Sequence, residues 1–95
     1  MIERDVAEIA GVRVRSLTAG EQIDLEAAMK VADKDIRKLI AVQLQAYVCD
    51  EAGNPVLSAE QAAQMVETRK SATVRVILEK AGDLNQFDPE SIRGN

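Results

Sequence analysis

The stretch between Asp33 and Asp50 carries the most regular hydrophobic pattern in the chain. Ile36, Leu39, Ile40, Leu44, Tyr47 and Val48 recur at the i, i+3, i+4 spacing of one helical stripe. This predicts a helix over about 34–49 that forms the centre of the core. The chain has 95 residues, which allows one small domain and not two independent cores. The helix should stop at Asp50-Glu51-Ala52-Gly53-Asn54-Pro55, a run of turn formers in which Gly53 and Asn54 tolerate positive φ.

Local signals place the other elements around it. Thr18-Ala19-Gly20-Glu21 fits a capping box, in which the hydroxyl and the carboxylate each satisfy an amide at the helix start. A helix should follow from about Ala19 to Val31, with Leu25, Ala28, Met29 and Ala32 on one face. Asp33 or Asp35 can cap the central helix. Ser58-Ala59-Glu60-Gln61 is a second capping box, opening a short helix over about 59–68 that buries Ala62, Met65 and Val66. Ser71 is the expected cap of a last helix running to about Asn85, with Val74, Ile77, Leu78, Ala81 and Leu84 inside. Asp88-Pro89-Glu90-Ser91 looks like a cap with proline at the first helical position, opening one more turn. Upstream, Val12 and Val14 alternate with Arg13 and Arg15, the period of a strand, and Ala10-Gly11 can turn back to a second strand around Val6–Ile9. The expected fold class is mainly α: a bundle of about four short helices with a short N-terminal β-strand or hairpin. The expected divisions are a strand or arm over 1–17, a helical domain over 18–87 and a tail over 88–95.

The chemical inventory is poor. There is no His, no Trp and one cysteine, Cys49. A lone cysteine makes no internal disulfide, the ligands of a zinc site are missing, and no Ser–His or Cys–His pair can form. Cys49 falls near a helix C-terminus, where the dipole disfavours a thiolate, and reads as a small filler. Counted as a calcium loop from Asp50, the third, sixth and twelfth positions are Ala52, Pro55 and Gln61, so the ligand set fails. The carboxylates Glu3, Asp5, Asp24, Glu26, Asp33, Asp35, Glu67, Glu79 and Asp83 fall on outer faces or in polar breaks, not as a held acid–base pair. No catalysis and no cofactor are expected. Twelve Lys and Arg against 16 Asp and Glu give a net charge of −4, which opposes binding to nucleic acid or an anionic membrane. Arg13, Arg15, Arg37, Lys38, Arg69 and Lys70 are dispersed, and one Tyr with one Phe make no stacking platform. No apolar run approaches a membrane span, and the N-terminus lacks the pattern of a secretory signal.

Some aliphatic residues lie off the inner stripes. Ile23 points away from Leu25 and Met29, Val42 lies off the Ile36–Ile40–Tyr47 line, and Val76 lies nearly opposite Val74. Joined in one patch they would mark a partner surface; scattered, or covered by the hairpin or tail, they need no explanation.

The order of these features resembles the tail assembly chaperones of long-tailed bacteriophages. The likeness rests on Val14-Arg15-Ser16-Leu17-Thr18-Ala19-Gly20-Glu21 before the first helix. It rests further on the long helix Leu39 to Asp50 that breaks into Glu51-Ala52-Gly53-Asn54-Pro55-Val56-Leu57, and on the two shorter helices that follow. It runs from the Val12–Leu17 strand to about Leu84, with an N-terminal strand region shorter than in many relatives. The resemblance implies a small helical protein of the host cytoplasm that helps build the tail and is absent from the finished particle. Such proteins bind the tape measure protein, keep it soluble and recruit tail tube subunits. Weak self-association and a longer product from ribosomal frameshifting also belong to this expectation, and Gly94-Asn95 is compatible with a slippery codon pair. Ile23, Val42 and Val76 are the expected partner contacts, because a helical client with apolar stripes needs apolar grooves. The rival readings are a small regulatory or DNA-binding helical protein, such as an antitoxin or repressor, and a structural tail component. A basic recognition helix, which would favour the regulator, is absent from the sequence.

Overall fold

The computed structural model describes residues 2–86. Val6–Ile9 (β1) and Val12–Arg15 (β2) form a hairpin, followed by α1 (Ala19–Ala32), α2 (Ile36–Tyr47), a short strand β3 (Val48–Cys49), α3 (Ala59–Thr68) and α4 (Ser71–Leu84). The turn of the hairpin is Ala10-Gly11, with φ of 52° and 82°, the left-handed pair that matches strand twist in a two-residue loop. The fold is therefore mainly helical, and its β part exceeds the expected hairpin: β3 adds to β2 to make an antiparallel sheet ordered β1-β2-β3. The register sets Val14 opposite Val48 and Arg13 opposite Cys49.

This third strand corrects the expected end of the central helix. The helix stops at Tyr47 rather than near 49, and Val48 takes extended φ and ψ of −72° and 127°. The apolar stripe continues through Val48, but a buried β-branched residue can meet the core from a strand as well as from a helix. Cys49 accordingly lies in a strand, buried, directly after Val48, the C-cap of α2, and so near a helix C-terminus as expected.

Val14, Leu44, Val48, Ala62, Met65, Val74, Ile77 and Ala81 form one buried cluster. Each fully buried Leu, Ile or Val supplies about 1.5–3 kcal/mol. Val14 belongs to the same cluster as the helices, with Ile9 and Val12 packed against it, so the β1–β2 hairpin lies on the helical core. On α2, the residues packed against this cluster begin at Ile40. Ile36, expected on the inner stripe, is 69% exposed: it occupies the first helical position and overhangs the core. The inner faces expected for α3 and α4 are the observed ones.

α2 packs against α1, α3 and α4. Its partner α1 adds Leu25 and Ala32 to the buried set, but neither belongs to the central cluster. α1 is a second layer laid on α2.

Both expected capping boxes are present, at Thr18–Glu21 and Ser58–Gln61, and Asp35 caps α2 by accepting from the Lys38 amide. Ser71 is not a cap. Only Arg69 and Lys70 separate α3 from α4, so Ser71 is drawn into the first turn and Lys70 takes the cap position without a side-chain hydrogen bond. The Asp88-Pro89-Glu90-Ser91 turn and the 88–95 tail lie outside the described residues.

The turn after β3 is closed by Asp50. Its Oδ1 accepts from the amides of Ala52 and Asn54, both at 2.9 Å, and those bonds hold its carboxyl below the usual range. Gly53 is buried there at φ +83°, and a Cβ on it would stand 2.6 Å from Arg4 Cδ. Gly53→Ala therefore costs left-handed strain and displaces Arg4. The expected loss is about 1–3 kcal/mol in urea unfolding, and wild-type stability would contradict the assignment.

Candidate functional site

Two regions invite a functional reading: a buried polar knot, and the outer surface of the first two helices.

The knot centres on Arg15. Strand alternation places Arg15 opposite the Val14 face, the side expected to meet water. Instead Arg15 is 6% exposed. Its Nε donates to Ala46 O at 2.8 Å, one of the last four carbonyls of α2, which have no partner within the helix. Its Nη1 donates to Gly53 O at 3.2 Å and to Glu21 Oε2 at 3.3 Å. Arg4 reaches the same carboxylate oxygen through Nη2 at 2.8 Å and donates through Nη1 to Ser16 O at 2.7 Å. Glu21 Oε1 accepts from the Thr18 amide at 2.9 Å, completing the capping box. One carboxylate thus serves a helix start and two guanidiniums.

The Arg4 hydrogen bond holds the Glu21 carboxyl down at about 2, with the Thr18 amide and the Arg15 charge acting the same way against desolvation. Ser16, also buried, accepts from the Asp5 amide at 2.7 Å. Asn85, just past α4, accepts at Oδ1 from the Leu17 amide at 2.7 Å. Among the described residues no buried side-chain nitrogen or oxygen lacks a partner. The knot is saturated, so its chemistry is that of a fastener.

Among the described residues no group of three His, Cys, Asp or Glu could hold a metal ion. Burial pushes the Cys49 thiol up, away from a reactive thiolate. No helix among the described residues is long and apolar enough to cross a membrane.

The second region is the apolar surface of α1 and α2. Ile23 is 65% exposed and Val31 87%. With Ala27 between them they stand at i, i+4 and i+8, along one edge of α1. Ile36 lies just across the α1–α2 turn. Beside this edge runs a groove of about 350 Å³ lined by Val31, Val42, Lys38, Gln45 and five alanines from α1, α2 and α3. Small side chains leave room for larger ones from outside.

The three expected contact residues are not brought into one groove. Ile23 is free on the outer edge of α1. Val42 is half-buried and lines the groove, and on its other side a second groove shared with Leu25 and Ala28. Val76, 37% exposed on α4, is not among the lining residues of either. Sequence reasoning missed Val31, which stands two turns from Ile23 at i+8. That spacing was the available signal. It missed Ile36 because helical period cannot tell a stripe's buried part from its overhang.

Comparison with protein-family models, curated proteins and solved structures returned no match.

The sign of the Glu21 shift fixes a pH dependence. A carboxyl lowered from 4.5 to about 2 supplies stability that is complete above pH 4.5 and is lost as pH falls toward 2. Urea midpoints should therefore drop across that window. Glu21→Gln should lower the midpoint at pH 6 and flatten the drop. An unchanged acid profile would contradict the assignment.

Proposed function

We propose that the chain is a non-enzymatic tail assembly chaperone, acting in the host cytoplasm, that holds helical segments of a tape measure protein and recruits tail tube subunits. The reading joins the sequence resemblance to one structural observation: aliphatic side chains at Ile23, Val31 and Ile36 exposed beside an alanine-lined groove. Such a surface suits an amphipathic helix laid along α1, with its larger apolar side chains entering between α1, α2 and α3. Exposed aliphatic area of this kind carries an aggregation cost that a partner removes. The net charge of −4 favours solubility while the client is held. The hold has to be temporary, since tube subunits must take the chaperone's place.

The test is co-expression with the tape measure gene of the same phage or prophage. A soluble complex is expected. The double variant Ile23→Asp/Val31→Asp should reduce recovery of that complex about tenfold, the equivalent of ~1.4 kcal/mol, with helical circular dichroism and melting temperature unchanged. A tape measure protein that stays insoluble, or a double variant that binds as well as wild type, would overturn the reading. So would finding the chain as a stoichiometric part of purified particles.

A further inference from the structure

A further groove lies on another part of the molecule, where α2, α3 and α4 meet. It measures about 380 Å³ and is floored by Ile40, Val66, Val74 and Leu78, with Arg69, Ser71 and Arg75 along its rim. Ile40, Val66 and Leu78 are only half-buried, although all three pack against the central cluster. The apolar floor is thus partly open to solvent.

Its electrostatics run against the rest of the chain. The protein carries −4 overall, yet this groove is lined by two guanidiniums and no carboxylate. Among the described residues neither Arg69 nor Arg75 makes an ion pair. Glu67, two residues before Arg69, is engaged by Arg37 of α2 at 2.8 Å. The first turn of α4 opens at the same rim with no side-chain cap, and adds the positive end of a 14-residue helix.

We infer that this groove is a docking site for an acidic amphipathic helix of a partner protein: aliphatic anchors on the floor, carboxylates against Arg69 and Arg75. A helix suits the site better than an extended strand. The groove is bounded by helices and offers no sheet edge, so a strand would leave its backbone amides unpaired, whereas a helix satisfies its own. Guanidinium groups add directional, paired hydrogen bonds to carboxylates, so the two arginines would fix the helix in register as well as attract it. The site is separate from the α1 edge and does not rest on the tail-assembly reading.

A charge-swap titration tests this. The probes are two labelled 16-residue peptides with the same leucine stripe, one flanked by Glu and the other by Lys, followed by fluorescence anisotropy. The Glu peptide should bind the full chain at least tenfold more tightly than the Lys peptide. Arg69→Glu/Arg75→Glu should invert that order with helicity retained, because both arginines are exposed. Leu78→Ala should weaken the Glu peptide without changing its preference over Lys. Equal binding of the two peptides, or an order that survives the double reversal, would overturn the proposal. Loss of self-association in the reversed variant, with no effect on peptide binding, would also overturn it by assigning the groove to a second copy of the chain.

Discussion

Arg15 is the side chain on which the arrangement of elements depends. A guanidinium taken out of water is tolerated only when its donors are used and its charge is matched. Here the donors go to the end of α2, to the turn after β3 and to the first turn of α1. Glu21 is far in sequence from Ala46 and Gly53, and the hydrophobic core alone does not fix their relative positions. Apolar packing is forgiving about direction. Hydrogen bonds from one planar group to two carbonyls and a carboxylate are not.

This explains how α1 can sit on the outside. The helix contributes little to the central cluster, so apolar burial holds it weakly. Its N-terminus is held instead by Glu21, which Arg4 and Arg15 both engage, and by the Thr18 cap. A helix fastened at one end by polar contacts and laid along α2 by Leu25 and Ala32 can leave its far edge apolar and open. Had α1 been required to close the core, Ile23 and Val31 would have been drawn inward. The same reasoning makes Gly53 a matter of space: Arg4 reaches the carboxylate by passing where a Cβ would stand.

Much of the fold was legible because its signals are local. A Thr or Ser followed three residues later by Glu or Gln fixes a helix start within a residue, and the observed α1 and α3 begin at Ala19 and Ala59 as expected. The Ala10-Gly11 turn set the hairpin register. The misreadings are non-local. Val48 suits a helix stripe and a strand equally, and the pairing with Val14 decides between them. Ser71 has the chemistry of a cap, but the two-residue link from α3 leaves it no room to act as one. Arg15 follows the alternation that marks a surface position. Only the approach of α1, α2 and the Gly53 turn makes that position interior, and no spacing within the strand encodes it. Of the residues expected to meet a partner, Ile23 is exposed where the helical wheel puts it. Val42 faces a groove because α1 lies beside it, a fact carried by two helices and not by one.

The most direct test is the equilibrium urea unfolding of Arg15→Met at neutral pH. Methionine keeps much of the aliphatic bulk and removes every side-chain donor, leaving half-buried Ala46 O and buried Gly53 O without this partner. The account predicts a loss of about 3 kcal/mol or more, with hydrogen exchange accelerated first at the N-terminal turn of α1. A variant within ~0.5 kcal/mol of wild type, with α1 amides equally protected, would mean that apolar packing alone positions the helices and that the central claim is wrong.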